Sequence, residues 1–376
     1  MTMRHGVARL ILSALTAVAV GQIAVGQTAS AQEPHKAAAG PHKGAAAPAW
    51  QPRKTAWGDP DLQGTWPLDQ LGRTPFQRPA AYGNRLNLTD EEYAKALASA
   101  QQAAKGAEKE EKDNKLGAGH WFEGGLPLRQ TSLIVEPANG HLPPLTEKGK
   151  QLAASMRSSW TQTAFDTTAD FNSLDRCITR GLPASMIPFP YNNGVRIFQS
   201  PGYVVIQLEI VHETRIIPLD GRPQLPGNMQ TWLGSSRGHF EGNTLVIDSA
   251  NFNGESPMAI VSSRATSVPT STQMHVVERL TPTGPNTIQY DMTVTDPDIL
   301  TAPWKMSFPW TRNETYEFYE YACHEGNEQT ANYIRATSPR FAEERARNGG
   351  IAEGLKHASE LGAPSNAPSP ADNLKR

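Results

Sequence analysis

Period-two alternation of apolar and polar residues dominates the second half of the chain. Ile288, Tyr290, Met292 and Val294 share one parity, and Gln289, Asp291, Thr293 and Thr295 share the other. Trp304, Met306, Phe308 and Trp310 repeat the pattern, and Tyr316 with Phe318 carries it into a further expected strand over 316–322. Successive side chains of a strand point to opposite faces, so this spacing predicts one face on a core and one in water, as in antiparallel sheets. Shorter runs lie between turn residues: 133–135 before Pro137 and Asn139-Gly140, 196–199 and 203–211 around Ser200-Pro201-Gly202, and 239–241 and 244–249 around Gly242-Asn243. Several amphipathic strands in succession hide their edges by closing up or by pairing face to face. The expected fold is therefore mainly β, an antiparallel lipocalin-like barrel or curled sandwich with peripheral helices. Its mouth or lumen would offer a pocket.

Helical signals sit at the margins. Thr89 with Glu92 three residues on is a capping box, and Leu88 and Tyr93 are spaced for a hydrophobic staple. The helix they open runs toward residue 115 with almost no apolar face in its later half, so it is expected to be exposed. A shorter helix is expected after Thr146, with Leu152 and Met156 inward, and a terminal one over 338–357.

The N-terminus reads as a secretory signal: a basic stretch to Arg9, an apolar run over 10–25, and Ala29-Ser30-Ala31 as the cleavage site. Gly21 and Gln22 interrupt the run, and no other apolar stretch approaches the ~18 residues of a membrane span. A periplasmic or secreted protein, cut near Ala31 and with no integral membrane segment afterwards, is expected. Residues 32–56, rich in Ala, Pro, Gly and Lys, form a linker. Residues 57–337 form one β-rich domain with a helical segment near 89–115, and 338–376 a terminal helix and disordered tail.

Composition narrows the function classes. The chain carries 35 Lys+Arg and 37 Asp+Glu. Loss of a leader containing Arg4 and Arg9 and no acid leaves 33 against 37. No basic excess or stripe is present, so no nucleic-acid partner is expected. Gly and Pro total 61 residues, about 16% against a usual ~12%, which favours turns over helical bundles, coiled coils or multi-span membrane proteins. Cys177 and Cys323 are the two cysteines. An even count in an exported chain predicts a disulfide, worth about 2–4 kcal/mol; two separately buried thiols are the alternative.

Candidate chemistry gathers where an apolar strand ends, at Glu209, His212, Glu213 and Arg215. Regular strand parity puts Glu209, Glu213 and Arg215 on one face and His212 on the other, so a bulge is needed to unite Glu209 with His212. Read chemically, Glu209 and His212 are an acid/base pair and Arg215 holds developing negative charge. Read structurally, the segment is a strand leaving the core, with an exposed Glu213–Arg215 pair. His324 and Glu325 come directly after Cys323; a Cys177–Cys323 bridge would set them beside Arg176 and Arg180. No cofactor is expected. A divalent metal on His212, His324 and Glu325 is the alternative, since two histidines and a carboxylate make an open site, although no H-E-x-x-H spacing accompanies them. Gly234-Ser235-Ser236-Arg237-Gly238 matches the nucleophile-elbow pattern, but residues 239–249 read as a hairpin where that motif needs a helix. A turn placing Arg237 and His239 toward a pocket, with Asp248 across the hairpin, fits better. Trp232 and Tyr191 are candidate ligand-facing aromatics.

The stretches 60–66 (PDLQGTW), 129–144, 176–183 (RCITRGLP), 191–193, 201–223 (PGYVVIQLEIVHETRIIPLDGRP), 232–248, 275–279 and 319–327 (YEYACHEGN) resemble a broad family of secreted bacterial proteins, mostly hypothetical. The resemblance spans most of 58–330. It implies export and a mostly-β fold and carries no mechanism. Three functions stand as expectations. The first is an exported enzyme doing acid/base chemistry (elimination, isomerisation or hydrolysis) on a small organic molecule or oligosaccharide. The second is a lipocalin-like carrier of an apolar ligand, and the third a structural envelope protein.

Overall fold

The computed structural model of the protein describes residues 50–113, 123–159, 164–259 and 268–347. The leader at 1–31, linker residues 32–49 and the tail from 348 lie outside them. In chain order the strands are β1 (Gly64–Thr65), β2 (Ile134–Glu136), β3 (Val195–Ser200), β4 (Tyr203–Leu208), β5 (Thr214–Pro218), β6 (Ser235–Glu241), β7 (Thr244–Ala250), β8 (Pro257–Ala259), β9 (Val268–Pro269), β10 (His275–Gly284), β11 (Thr287–Thr295) and β12 (Trp304–Thr311). One sheet runs β1-β3-β4-β5 and a larger one β2-β12-β11-β10-β7-β6, with β8-β9 as a small pair. The sheet pairings are antiparallel. The fold is thus mainly β with antiparallel sheets, and among the described residues both large sheets are open, with no closed barrel.

The periodic segments become the larger sheet's inner face. Ile288, Tyr290, Met292 and Val294 of β11 lie beside Trp310, Phe308, Met306 and Trp304 of β12, all buried. The Tyr290 and Trp310 rings stack at 4.5 Å. Val204, Ile206 and Ile217 of the smaller sheet join them in one hydrophobic core, which Leu62 and Trp66 help to fill. Each large apolar side chain in such a core contributes on the order of 1.5–3 kcal/mol. Both expected two-residue turns occur: Ser200 pairs with Tyr203 around Pro201-Gly202, and Glu241 with Thr244 around Gly242-Asn243.

Residues 316–322 form no strand. They have no regular structure and no ladder partner, and Glu209 takes the Tyr316 hydroxyl and the Tyr319 N–H.

Helix α1 (Asp90–Lys112) opens on a formed capping box: Glu92 N–H donates to Thr89 Oγ1 at 3.2 Å, and Thr89 N–H to Glu92 Oε2 at 2.7 Å. Helix α2 (Glu147–Ser155) is capped by Thr146, but its buried residues are Gly149 and Ala153 while Leu152 is exposed. A Cβ on Gly149 would lie 2.4 Å from the Ile299 carbonyl oxygen, so contact with that segment selects small residues over Leu152. The terminal helix also differs from expectation. Helix α3 (Glu328–Thr337) begins earlier, and Ser338-Pro339 breaks it before α4 (Ala342–Arg347). Proline cannot continue a helix hydrogen-bond ladder, and the Ser338 side chain caps the restart.

Candidate functional site

Strand β4 stops at Leu208, and the next residues turn sharply. Val211 and His212 both have left-handed backbones, with φ of 56° and 41°. That conformation is unusual for a β-branched residue. It abolishes strand parity, so the faces expected for Glu209, His212 and Arg215 do not apply. The four ionisable groups go to four different environments.

Glu209 is buried and fully engaged. Asn192 Nδ2 and Tyr319 N–H donate to Oε1, each at 2.9 Å; Gly194 N–H and the Tyr316 hydroxyl donate to Oε2 at 2.9 and 2.7 Å. A carboxylate has about four acceptor positions, and all are filled. A Cβ on Gly194 would stand 2.6 Å from Glu209 Oε2, so the glycine lets the carboxylate in. Glu123 holds the same turn from another side. It accepts from the N–H groups of Asn192 and Asn193 and from Asn193 Nδ2 at 2.9 Å, and lies 3.1 Å from the Tyr316 hydroxyl, whose one proton it shares with Glu209. Burial raises its carboxyl above the ordinary range, against the pull of those donors.

Glu213 is buried as well. Thr179 Oγ1 and Arg180 N–H donate to one oxygen at 2.6 and 2.7 Å, and Ser185 Oγ to the other at 2.7 Å. Burial outweighs these bonds and raises its pKa. The expected surface pair with Arg215 does not form. Arg215 instead crosses the core to Glu278 of β10, through Nη1 at 3.0 Å to Oε1 and through Nη2 to Oε2. Tyr290 donates to the same carboxylate at 2.8 Å. Burial pulls the Arg215 guanidinium down, but the Glu278 charge and hydrogen bonds leave it raised.

Cys177 and Cys323 are bridged, with Cα atoms 5.6 Å apart. Both line an open cleft of about 730 Å³. Its aromatic wall has a clear sequence of supports. The Arg180 guanidinium lies 4.5 Å from the Phe189 ring, Phe189 meets Tyr191 edge-on at 4.8 Å, and Tyr191 lies nearly parallel to Tyr321 at 6.4 Å and 11°. Burial, with Tyr321 beside it, pushes the Tyr191 phenol up to about 12. Burial also draws Arg180 down to about 10. Tyr333 of α3 and Phe171 also line the cleft; Tyr333 packs on Phe165 at 5.3 Å, and Phe165 stacks on Phe171 at 4.5 Å.

Of the residues expected to bind substrate, Tyr191 lines this cleft. His324 and Glu325 are exposed beside Cys323, and the His324 and His212 rings lie 6.3 Å apart. Among the described residues no three His, Cys, Asp or Glu side chains are grouped to hold a metal ion. Arg176 turns to the half-buried Trp232 at 5.7 Å. Arg237 is tied to the Pro223 and Ser236 carbonyls and to Ser235 Oγ. His239 meets Glu241 on the surface at 3.2 Å. Asp248 bonds His275 and Gln224, so this hairpin does not join the cleft. Ser236 of the glycine-serine motif sits inside β6, 2.7 Å from Ser249 Oγ. Neither Glu123 nor Tyr321 stands out in the sequence as a site residue, and Tyr316 reads there as part of a strand. The paired asparagines at 192–193, a residue type that tolerates left-handed turns, were the available signal. Asn192 adopts that conformation, with φ of 53°.

No family model, curated protein or solved structure matches the chain.

Proposed function

We propose that the chain is an exported protein that binds a polar organic ligand, with oligosaccharides the best-fitting class, in the cleft walled by Tyr191 and Tyr321. The observation that carries this reading is the cleft itself. Its volume of about 730 Å³ falls within the ~300–1,000 Å³ of ordinary ligand sites. Its wall combines parallel phenol rings with amides and carboxylates such as Gln329, Asp175 and Glu320. Such rings offer flat apolar faces with polar tips, a pairing suited to sugar rings. A wholly apolar ligand would strip water from the polar groups without replacing their hydrogen bonds. The leader and the Cys177–Cys323 bridge support export to an oxidising compartment.

Binding fits this geometry better than acid/base catalysis by Glu209, His212 and Arg215. Glu209 has no acceptor position left for a substrate proton, and Arg215 is spent on Glu278. Saturation-transfer NMR and calorimetry on the mature protein with a panel of oligosaccharides test the proposal. Tyr191→Ala and Tyr321→Ala are each expected to weaken binding by about 10-fold or more, equivalent to ~1.4 kcal/mol. Affinity that survives both substitutions in folded protein moves the ligand elsewhere, and no saccharide binding at all overturns the class.

A further inference from the structure

His212 and His324 come from segments far apart in sequence, yet their ring centres lie 6.3 Å apart with 43° between planes. Two features hold them. The left-handed turn at Val211 and His212 brings one imidazole outward while Ile210 and Val211 stay buried. The bridge at Cys323 anchors the residue before the other imidazole. Strained backbone of this kind persists where the surroundings over-determine it, and it concentrates at ligand clamps.

The spacing has chemical content. A metal–imidazole bond is about 2.0–2.1 Å, which places the ion roughly 3.2 Å from each ring centre. Two rings on one ion then have centres about 5.2 Å apart at a tetrahedral angle and about 6.4 Å apart when trans. The observed 6.3 Å falls at the trans end of that span, the arrangement of square-planar or tetragonal ions. Both histidines are exposed, so an ion reaches them without opening the fold.

We propose that His212 and His324 form a two-histidine grip for a divalent transition-metal ion, next to the disulfide that lines the cleft. Two neutral imidazoles at this near-trans spacing select Cu(II) or Ni(II) over the oxygen-seeking Mg(II) and Ca(II) and over tetrahedral Zn(II). With no third protein ligand grouped there among the described residues, water completes the shell. The ion would tie the 209–213 turn to the C-terminal segment, and the proposal stands independently of the cleft's ligand.

Cu(II) alone, titrated into the mature full-length chain and followed by EPR, tests it. The wild type is expected to bind one equivalent more than either single-histidine variant, with a two-nitrogen signature. His324→Ala, and His212→Asn, which tolerates the left-handed backbone, should each weaken this binding at least ~10-fold. Ni(II) should raise the thermal midpoint of the wild type and leave both variants unmoved, since a ligand specific to the folded state stabilises it. His35 and His42 of the linker also bind copper in principle, so the readout is the difference between wild type and variant. Unchanged affinity and spectrum in either variant overturns the pair.

Discussion

Inside the two-sheet core, Arg215 of β5 and Glu278 of β10 meet across the sheets, with Tyr290 completing the carboxylate's bonding. Ser236 and Ser249 lie against the guanidinium, the wider core is apolar, and the backbone is satisfied by ladders. Beside the cleft the arrangement is reversed. Glu209 and Glu213 are buried too and Glu123 is half-buried, but each accepts bonds from backbone N–H groups of irregular chain, at Gly194 and Tyr319, at Arg180, and at Asn192 and Asn193. A buried backbone donor needs a partner. Where no strand supplies one, these carboxylates do, and the Cys177–Cys323 bridge adds a covalent tie. The core's charged pair is therefore replaceable by shape, whereas the cleft side depends on acceptors at fixed positions. The first is a matter of packing and the second of bonding.

That contrast breaks most visibly at Arg215. Arg215→Met leaves Glu278 buried and uncompensated, and should cost about 3–5 kcal/mol in urea unfolding. Replacing Glu278 by Met and Tyr290 by Phe in the same protein should recover most of this loss. Ser236 and Ser249 stay satisfied by each other at 2.7 Å. Equal instability in the single and triple variants would show that the pair's geometry, and not its charge, holds the core.

The bridge sharpens the comparison from the other side. Cys177→Ser with Cys323→Ser should cost about 2–4 kcal/mol. The effect should be local. Hydrogen exchange should rise across 316–347 while β10, β11 and β12 keep their protection. Exchange that rises uniformly would mean that the two regions unfold as one unit.

The same division explains what the sequence makes legible. The apolar faces of β11 and β12, the turn at Gly242-Asn243 and the Thr89–Glu92 cap arise from residues a few positions apart, and periodicity or turn chemistry reports them. Glu209 and Tyr316 are 107 residues apart and Glu123 and Asn192 are 69 apart. A carboxylate that bonds distant backbone leaves no periodic trace. Alternation at Tyr316 and Phe318 imitates a strand, although Glu209 and not a neighbouring strand takes the Tyr316 hydroxyl and the Tyr319 N–H. Arg215 likewise has a carboxylate two residues away in Glu213, while its actual partner is 63 residues on. The cleft was half legible: Tyr191 and the two cysteines stood out, and Tyr321 did not.

The smallest expected effect is the pH response of Glu213. Burial is the largest influence on its carboxyl, and it raises the pKa above the ordinary 4.5 despite bonds from Thr179, Ser185 and Arg180. The native state therefore holds this proton to higher pH than the unfolded chain does. Between the two pKa values the folded state binds more protons, so this group's contribution to stability falls as pH rises from about 4.5 through its folded pKa. Glu213→Gln removes the titration and retains an acceptor oxygen for Thr179 and Arg180. Its stability relative to wild type should accordingly improve from about pH 4 to about pH 7, whichever protein is the more stable at the start. Thermal midpoints of both proteins across that range decide it. A difference that stays flat would mean that the Thr179, Arg180 and Ser185 donors fully offset the burial of the charge, and that the cleft side tolerates an ionised Glu213 as readily as the core tolerates the Arg215–Glu278 pair.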